Sequence, residues 1–280
     1  MQFACHTWGF NDLSLTDALG TIARLGFRYV DLGTGPHLNV AEIVKDPRGV
    51  AAQIKRDLQL FNLKLSDFYL MAPRISLADE AKRAQDINTF KAMLPFVIAL
   101  ETPGVTLSPG LTHPADEPEA LDRSVSALRE MVAAAGTATP ATRLQVSIEP
   151  HVDSMAQSPD AIRKILGQVK GLSLTLDWAE MVYQDVFHDQ IAELIPHARH
   201  IQIRQGARAQ LQTPFTQGRI DIQRVVKSLK DADYDGVVCV ELIHMEHHGA
   251  IKVEPIPEAV KLRDALRSAR DELETTSTMS

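Results

Sequence analysis

The chain has only two cysteines among 280 residues, Cys5 and Cys239, placed near its opposite ends. Two thiols this far apart make no disulfide framework, so a reducing setting, the cytoplasm, is expected and both side chains read as small buried hydrophobes. No apolar run approaches the roughly 18 residues that would argue for a membrane span. The opening Met1-Gln-Phe-Ala-Cys-His lacks a basic stretch followed by an apolar core and cleavage site, so no signal peptide is expected. Basic excess is also missing. A formal charge of −7 and a pI of about 5.8 argue against nucleic acid as the main partner and favour a small-molecule substrate with recruited cations. No Gly-x-Gly-x-x-Gly loop follows any strand-like run, which weighs against an open dinucleotide-binding sheet. No linker rich in Gly, Ser or Pro divides the chain, so one domain is expected over residues 1–273, with the polar segment 274–280 as a frayed tail. Whether the chain forms a homo-oligomer or joins a partner subunit is left open.

What is present is a repeated grammar of short apolar run, polar rim and helical stretch. Strand-like runs fall at Gln2–Thr7, Tyr29–Leu32, Leu63–Leu70, Gly104–Leu107, Leu144–Glu149, Leu172–Asp177, His200–Arg204 and Val237–Leu242. Between them, Ser14 before Asp17, Ser158 before Pro159, and Asp221 offer helix N-caps, and Ile256-Pro257 opens a last helix. Eight such units predict a closed parallel (β/α)8 TIM barrel, an α/β fold whose usual length is ~250 residues.

Four of the later runs end in a residue able to hold a divalent metal: Glu149, Asp177, Gln202 and Glu241. In a closed parallel barrel all strands exit at one face, so these four become neighbours around one rim. Three carboxylates brought together repel one another without a cation, and three carboxylates plus an amide oxygen make a hard oxygen set. One Mn²⁺ or Mg²⁺ ion is the expected cofactor, with Zn²⁺ or Co²⁺ as alternatives. The plain alternative is an ordinary salt bridge for each acid.

Other residues surround this rim on paper. His151 follows Glu149 by two and leaves the strand on the same side, which suits a hydroxyl donor or an acid/base. Arg204 follows Gln202 by two and should lie further toward the rim, where a guanidinium can grip a carbonyl or carboxylate. Its alternative is pairing with Glu180 or Glu241. His6 beside Trp8 is a candidate for the opposite wall, Trp8 for stacking on a sugar ring, His37 for the second loop, and His244 for the loop after the eighth strand. The consecutive His247-His248 reads as solvent-exposed.

The ordered segments Ser-Ile-Glu149-Pro-His151, Thr-Leu-Asp177, His200-Ile-Gln202-Ile, Gly218-Arg-Ile-Asp221 and Gly236-Val-Val-Cys-Val-Glu241 resemble the signatures of the xylose-isomerase-like barrel superfamily. That superfamily includes sugar isomerases, epimerases, dehydratases and a DNA-repair endonuclease branch. The resemblance implies that Glu149, Asp177, the seventh-strand position and Glu241 bind metal. His-x-Gln at the seventh strand is similar to the hydroxypyruvate isomerase branch, where the amide serves as ligand. The chain departs from the pattern at Asp177-Trp-Ala-Glu180, where many members have histidine in place of Glu180.

The expected activity is an isomerase or epimerase of a small sugar or hydroxy-carbonyl compound, with Glu149 and Glu241 moving a proton through an enediolate and Glu180 against the substrate. The alternative is a metal-dependent lyase, of dehydratase or deglycosidase type, acting on a keto-sugar or aryl sugar conjugate. A nuclease demands more His and Asp ligands and a basic surface. A non-catalytic barrel predicts no bound metal.

Overall fold

The computed structural model describes residues 1–114, 117–138, 144–244 and 246–278. Eight strands close in sequence order into one barrel: β1 (Gln2–His6), β2 (Tyr29–Gly33), β3 (Lys64–Leu70), β4 (Gly104–Leu107), β5 (Gln145–Ile148), β6 (Leu172–Asp177), β7 (Ala198–Ile203) and β8 (Val237–Val240). Every neighbouring pair is parallel, including β8 against β1. The expected (β/α)8 fold is therefore observed. Helices between the strands bury the outer faces, with Leu19, Ile22, Phe96, Leu128, Ile165, Val225 and Leu266 fully enclosed. Among the described residues no helix is long and apolar enough to cross a membrane.

The helix starts follow from local chemistry. The side chains of Ser14, Ser158 and Asp221 accept from the backbone N–H of Asp17, Ala161 and Arg224, satisfying donors that the first helical turn leaves free. The last helix runs from Pro255 to Thr278, so residues 274–278 continue it past Leu273. Residues 279–280 lie outside the described residues. β7 starts at Ala198 and ends at Ile203, which leaves Arg204 just beyond the strand.

Side-chain alternation builds the interior in steps. Ser147 and Glu149, Thr175 and Asp177, His200 and Gln202, and Cys239 and Glu241 are pairs two residues apart, so each pair faces the same side of the sheet. The lower step is polar where many barrels use branched apolar residues. Arg199 donates to Asp67 at 2.6 Å, Ser147 at 2.8 Å and Thr106 at 3.3 Å, and the Thr175 hydroxyl lies 2.8 Å from Ser147 and 2.7 Å from Thr106. His200 sits 2.6 Å from Asp31, which also accepts from Ser66. Burial opposes the charge on Asp31, yet the His200 ring and its hydrogen bond hold the carboxyl far below its ordinary range. Both cysteines are free and buried, and burial pushes their thiols up, so they are inert packing groups.

Gly104 makes this arrangement possible. A Cβ there would lie 2.4 Å from the Arg199 guanidinium carbon. Gly104→Ala is expected to displace Arg199 from Asp67 and Ser147, leaving buried polar groups short of partners. The expected cost is about 1–3 kcal/mol in denaturant unfolding. Unchanged stability would show that the guanidinium can rearrange freely.

Candidate functional site

The four strand-end residues converge as expected. Ligand atoms of Glu149, Asp177 and Glu241 lie within 4.8 Å of one another, and all three side chains are buried. Asp177 pairs in register with Gln202. Glu149 and Glu241 sit one residue beyond their strands, but their N–H groups still donate to Leu107 and Ile203 carbonyls at 2.8 and 3.1 Å. The sheet ladder thus fixes both acids rather than leaving them on free loops.

Arg204 does not lie out at the rim. It is 1% exposed and its guanidinium is driven in among the acids. One terminal nitrogen donates to Asp177 and to Glu241, the latter at 2.9 Å. The other reaches Glu180 at 3.1 Å, and Nε donates to the Leu211 carbonyl at 3.2 Å. The pairing alternative for Arg204 is the one observed, with Asp177 added to it. Glu180 is itself anchored, accepting from the Val152 N–H at 2.8 Å, and the Asp177 carboxylate caps the helix Trp178–Tyr183 through Ala179 and Glu180.

Four carboxylates share this pocket with one guanidinium, so negative charge is in excess. Burial, followed by the charges of Glu241, Asp177 and Glu180, pushes Glu149 well above the ordinary carboxylate range. Glu241 is raised first by burial, against the pull of Arg204. Glu180 is pushed up to about 7 by burial, with Arg204 opposing. The folded protein without metal therefore holds protons that the unfolded chain has already released above 4.5, the ordinary value. Its contribution to stability must fall as pH rises through this range. Urea midpoints of metal-free protein should decline between about pH 5 and 8 from this source, and a divalent ion should flatten the decline. An equally steep decline with saturating metal would mean that the ion is not held by these acids.

The residues present fit such an ion. Gln202 Oε1 is buried with no hydrogen-bond partner among the described residues, while its amide nitrogen donates to Glu241 at 3.3 Å. An orphaned carbonyl oxygen beside acids in excess of their counter-charge is a donor set suited to a hard divalent cation.

The pocket above the acids has a volume of about 170 Å³ and is walled by Trp8, Tyr69, His151, Val152, Ile243, His247 and His248 among others. Trp8 belongs there as expected, seated over Gly33, where any Cβ would lie 2.8 Å from its ring. His151 reaches the pocket, but both ring nitrogens are engaged, with Ser108 Oγ and the Val152 carbonyl each at 2.7 Å. His151 thus takes a wall position, with its ring orientation fixed by these two partners. His6 does not line the pocket. Its Nδ1 accepts from the Trp8 backbone N–H at 3.0 Å and its ring packs against Trp8 at 4.4 Å with a 40° tilt, so it helps to position that indole. His37 is also absent from the wall, its Nε2 lying 3.1 Å from the Leu13 carbonyl. His244 is turned away toward Asp12 at 3.3 Å and lines a neighbouring chamber.

Two features escaped the sequence reading. Tyr69 faces Glu149, and burial together with that carboxylate raises its phenol pKa. Its signal was Asp67 and Tyr69 two residues apart in β3, marking an inward polar face. The tandem His247-His248, expected in solvent, lines the pocket instead. A turn closed by Ala250 N–H to His247 O (2.9 Å) and a bond from Leu211 N–H to His248 O (3.1 Å) fold it back.

No match is found among curated proteins. Solved structures do resemble the chain. A D-psicose 3-epimerase from Clostridium cellulolyticum H10, solved with D-tagatose, has a TM-score of 0.74 and 15% identity, covering 96% of this chain and 99% of its own. An L-ribulose 3-epimerase has a TM-score of 0.75 and 16% identity over 98% and 99%. The probable 3-DHS dehydratase AsbF of petrobactin synthesis in Bacillus anthracis has a TM-score of 0.74 and 15% identity over 94% and 99%. At these identities the likeness concerns the fold. The sequence profile of the xylose isomerase-like TIM barrel family matches residues 19–271, and the chain belongs to that family.

Proposed function

We propose that the chain is a divalent-metal-dependent isomerase or epimerase of a small sugar or other hydroxy-carbonyl compound. The observation that carries this reading is the pair of ladder-fixed, buried glutamates, Glu149 and Glu241, within reach of one another at the floor of a small pocket. Burial raises the pKa of both carboxyls in the metal-free protein, and each is placed to take up or give back a proton at the pocket floor. Glu149, Asp177, Gln202 and Glu241 would hold the ion. When bound, Mn²⁺ or Mg²⁺ supplies Lewis acidity that stabilises negative charge on neighbouring substrate oxygens.

The remaining chemistry falls to this chain's own residues. One glutamate removes a proton from the carbon beside the carbonyl, and the other returns a proton to the neighbouring carbon or to the opposite face. Arg204 fixes the orientation of Asp177, Glu180 and Glu241 while adding positive charge under the substrate. Trp8 and Tyr69, with ring centroids 5.0 Å apart, form a wall that limits water and offers a flat surface to a sugar. The family and the epimerase neighbours support this class of reaction, and the dehydratase neighbour supports a lyase.

A lyase is the second reading, favoured by Glu180, whose pKa of about 7 suits an acid that protonates a leaving group. Product analysis separates the two: an isomer of unchanged mass against released water or aglycone.

The metal set is tested with Asp177→Asn, because asparagine keeps the helix-capping oxygen and loses the charge. Calorimetric titration should show Mn²⁺ affinity weakened at least about tenfold, with the far-ultraviolet circular dichroism spectrum unchanged. Parental affinity in a folded Asp177→Asn protein would remove Asp177 from the set.

A further inference from the structure

A hydroxy-carbonyl compound seated over the acids needs hydrogen-bond partners from the pocket wall as well as the floor. The charged groups have little left to offer. Arg204 is committed to Asp177, Glu180, Glu241 and the Leu211 carbonyl. Glu180 divides its two oxygens between Arg204 and the Val152 N–H. A further substrate hydroxyl buried here without a partner would weaken binding.

Three imidazoles line the wall, those of His151, His247 and His248. His151 has both ring nitrogens engaged, as described above. His248 is turned toward Asp153, its Nε2 3.6 Å from that carboxylate, and its ring meets Tyr183 edge-on at 5.9 Å. The His247 ring packs edge-on against His248 at 4.9 Å, and neither of its nitrogens has a hydrogen-bond partner among the described residues. Its Nδ1 is enclosed and its Nε2 is not, so the ring meets the pocket with the Nε2 edge. A proton on Nε2 leaves no N–H trapped without an acceptor and makes that edge a donor. Burial, His248 and the Arg204 guanidinium all lower the pKa of the ring, which keeps it neutral at pH 7. The backbone holds the ring in place. The Ala250 N–H closes a turn on the His247 carbonyl at 2.9 Å, and that turn runs through Gly249 at a φ of +66°. A Cβ on Gly249 would lie 2.3 Å from the Ala209 carbonyl oxygen, so glycine lets the two loops close on one another.

We propose that His247 is a substrate-binding residue, its Nε2 donating to a hydroxyl oxygen of the bound compound outside the hydroxy-carbonyl unit that exchanges the proton. This rests on the proton-transfer reading of the acids. It narrows the substrate to compounds that carry at least one hydroxyl beyond that unit.

The test compares two probes on the Mn²⁺-supplied full chain by calorimetry. Hydroxyacetone has the hydroxy-carbonyl unit alone, and dihydroxyacetone adds one hydroxyl. Dihydroxyacetone should bind at least about fivefold more tightly, the effect of one further hydrogen bond. His247→Phe, which keeps a ring but no donor, should bring the two probes within about twofold of each other. His247→Gln retains an N–H on a flexible stem and should keep part of the preference. Gly249→Ala, which pushes the turn off Ala209 without altering the imidazole, should also reduce it. Equal affinity of the parent for the two probes, no measurable binding of dihydroxyacetone, or a preference that survives His247→Phe overturns the contact. Solvent deuterium uptake into the same probes judges the acids separately. A preference that depends on His247 without exchange into either probe refutes proton transfer and keeps the contact, while exchange without such a preference does the reverse.

Discussion

Glu149→Gln and Glu241→Gln should each lower turnover by about 10²–10⁴-fold while sparing much of the metal affinity. The amide keeps an oxygen for the ion but has no proton to lose or accept at neutral pH. The informative measurement is deuterium uptake from solvent into substrate. If both variants exchange hydrogen as fast as the parent, the two glutamates are ligands and nothing more. A second consequence runs in the opposite direction. Both carboxyls are pushed up by burial first, then by neighbouring acids, so a neutral amide relieves repulsion at alkaline pH. The metal-free variants should therefore gain stability above neutrality as they lose activity, a trade-off expected where charge is concentrated for chemistry.

Arg204→Met should cost about 3–5 kcal/mol of folding stability in metal-free protein, because it leaves Asp177, Glu180 and Glu241 buried without their cation. Methionine matches much of the stem but none of the five donors. Adding Mn²⁺ should restore more stability to the variant than to the parent, since the ion then supplies the only strong positive charge among the acids. Urea unfolding with and without Mn²⁺ reads both effects. Parental stability in the metal-free variant would mean that the guanidinium does not occupy the acid pocket in solution. Arg204→Lys is expected to fall between, retaining charge but unable to serve three carboxylates from one planar fork.

Much of this site was legible because period-two alternation is rigid. Once eight parallel strands were recognised, Glu149, Asp177, Gln202 and Glu241 had to meet at one rim, and they do. The same rule put Arg204 on the inward face, but it says nothing about which way a long side chain turns after the strand ends. Excess negative charge drew the guanidinium inward instead of toward solvent. Loop residues were harder. His247 and His248 are brought in by backbone bonds to a distant loop, and His37 and His244 are turned away by partners at Leu13 and Asp12. None of these pairings leaves a periodic trace. His6 was placed on the correct strand, yet the bulk of Trp8 covers it, a steric outcome that spacing alone does not encode.

The hydrogen-bonded step formed by Arg199, Asp67, Thr106, Ser147 and Thr175 has a consequence for traffic. It stoppers the barrel two residues below the acids, with the Arg199 side chain 8% exposed and that of Asp67 1%. The vessel has one mouth. Whatever enters must leave by the way it came, so product and fresh substrate exclude one another and product should inhibit competitively.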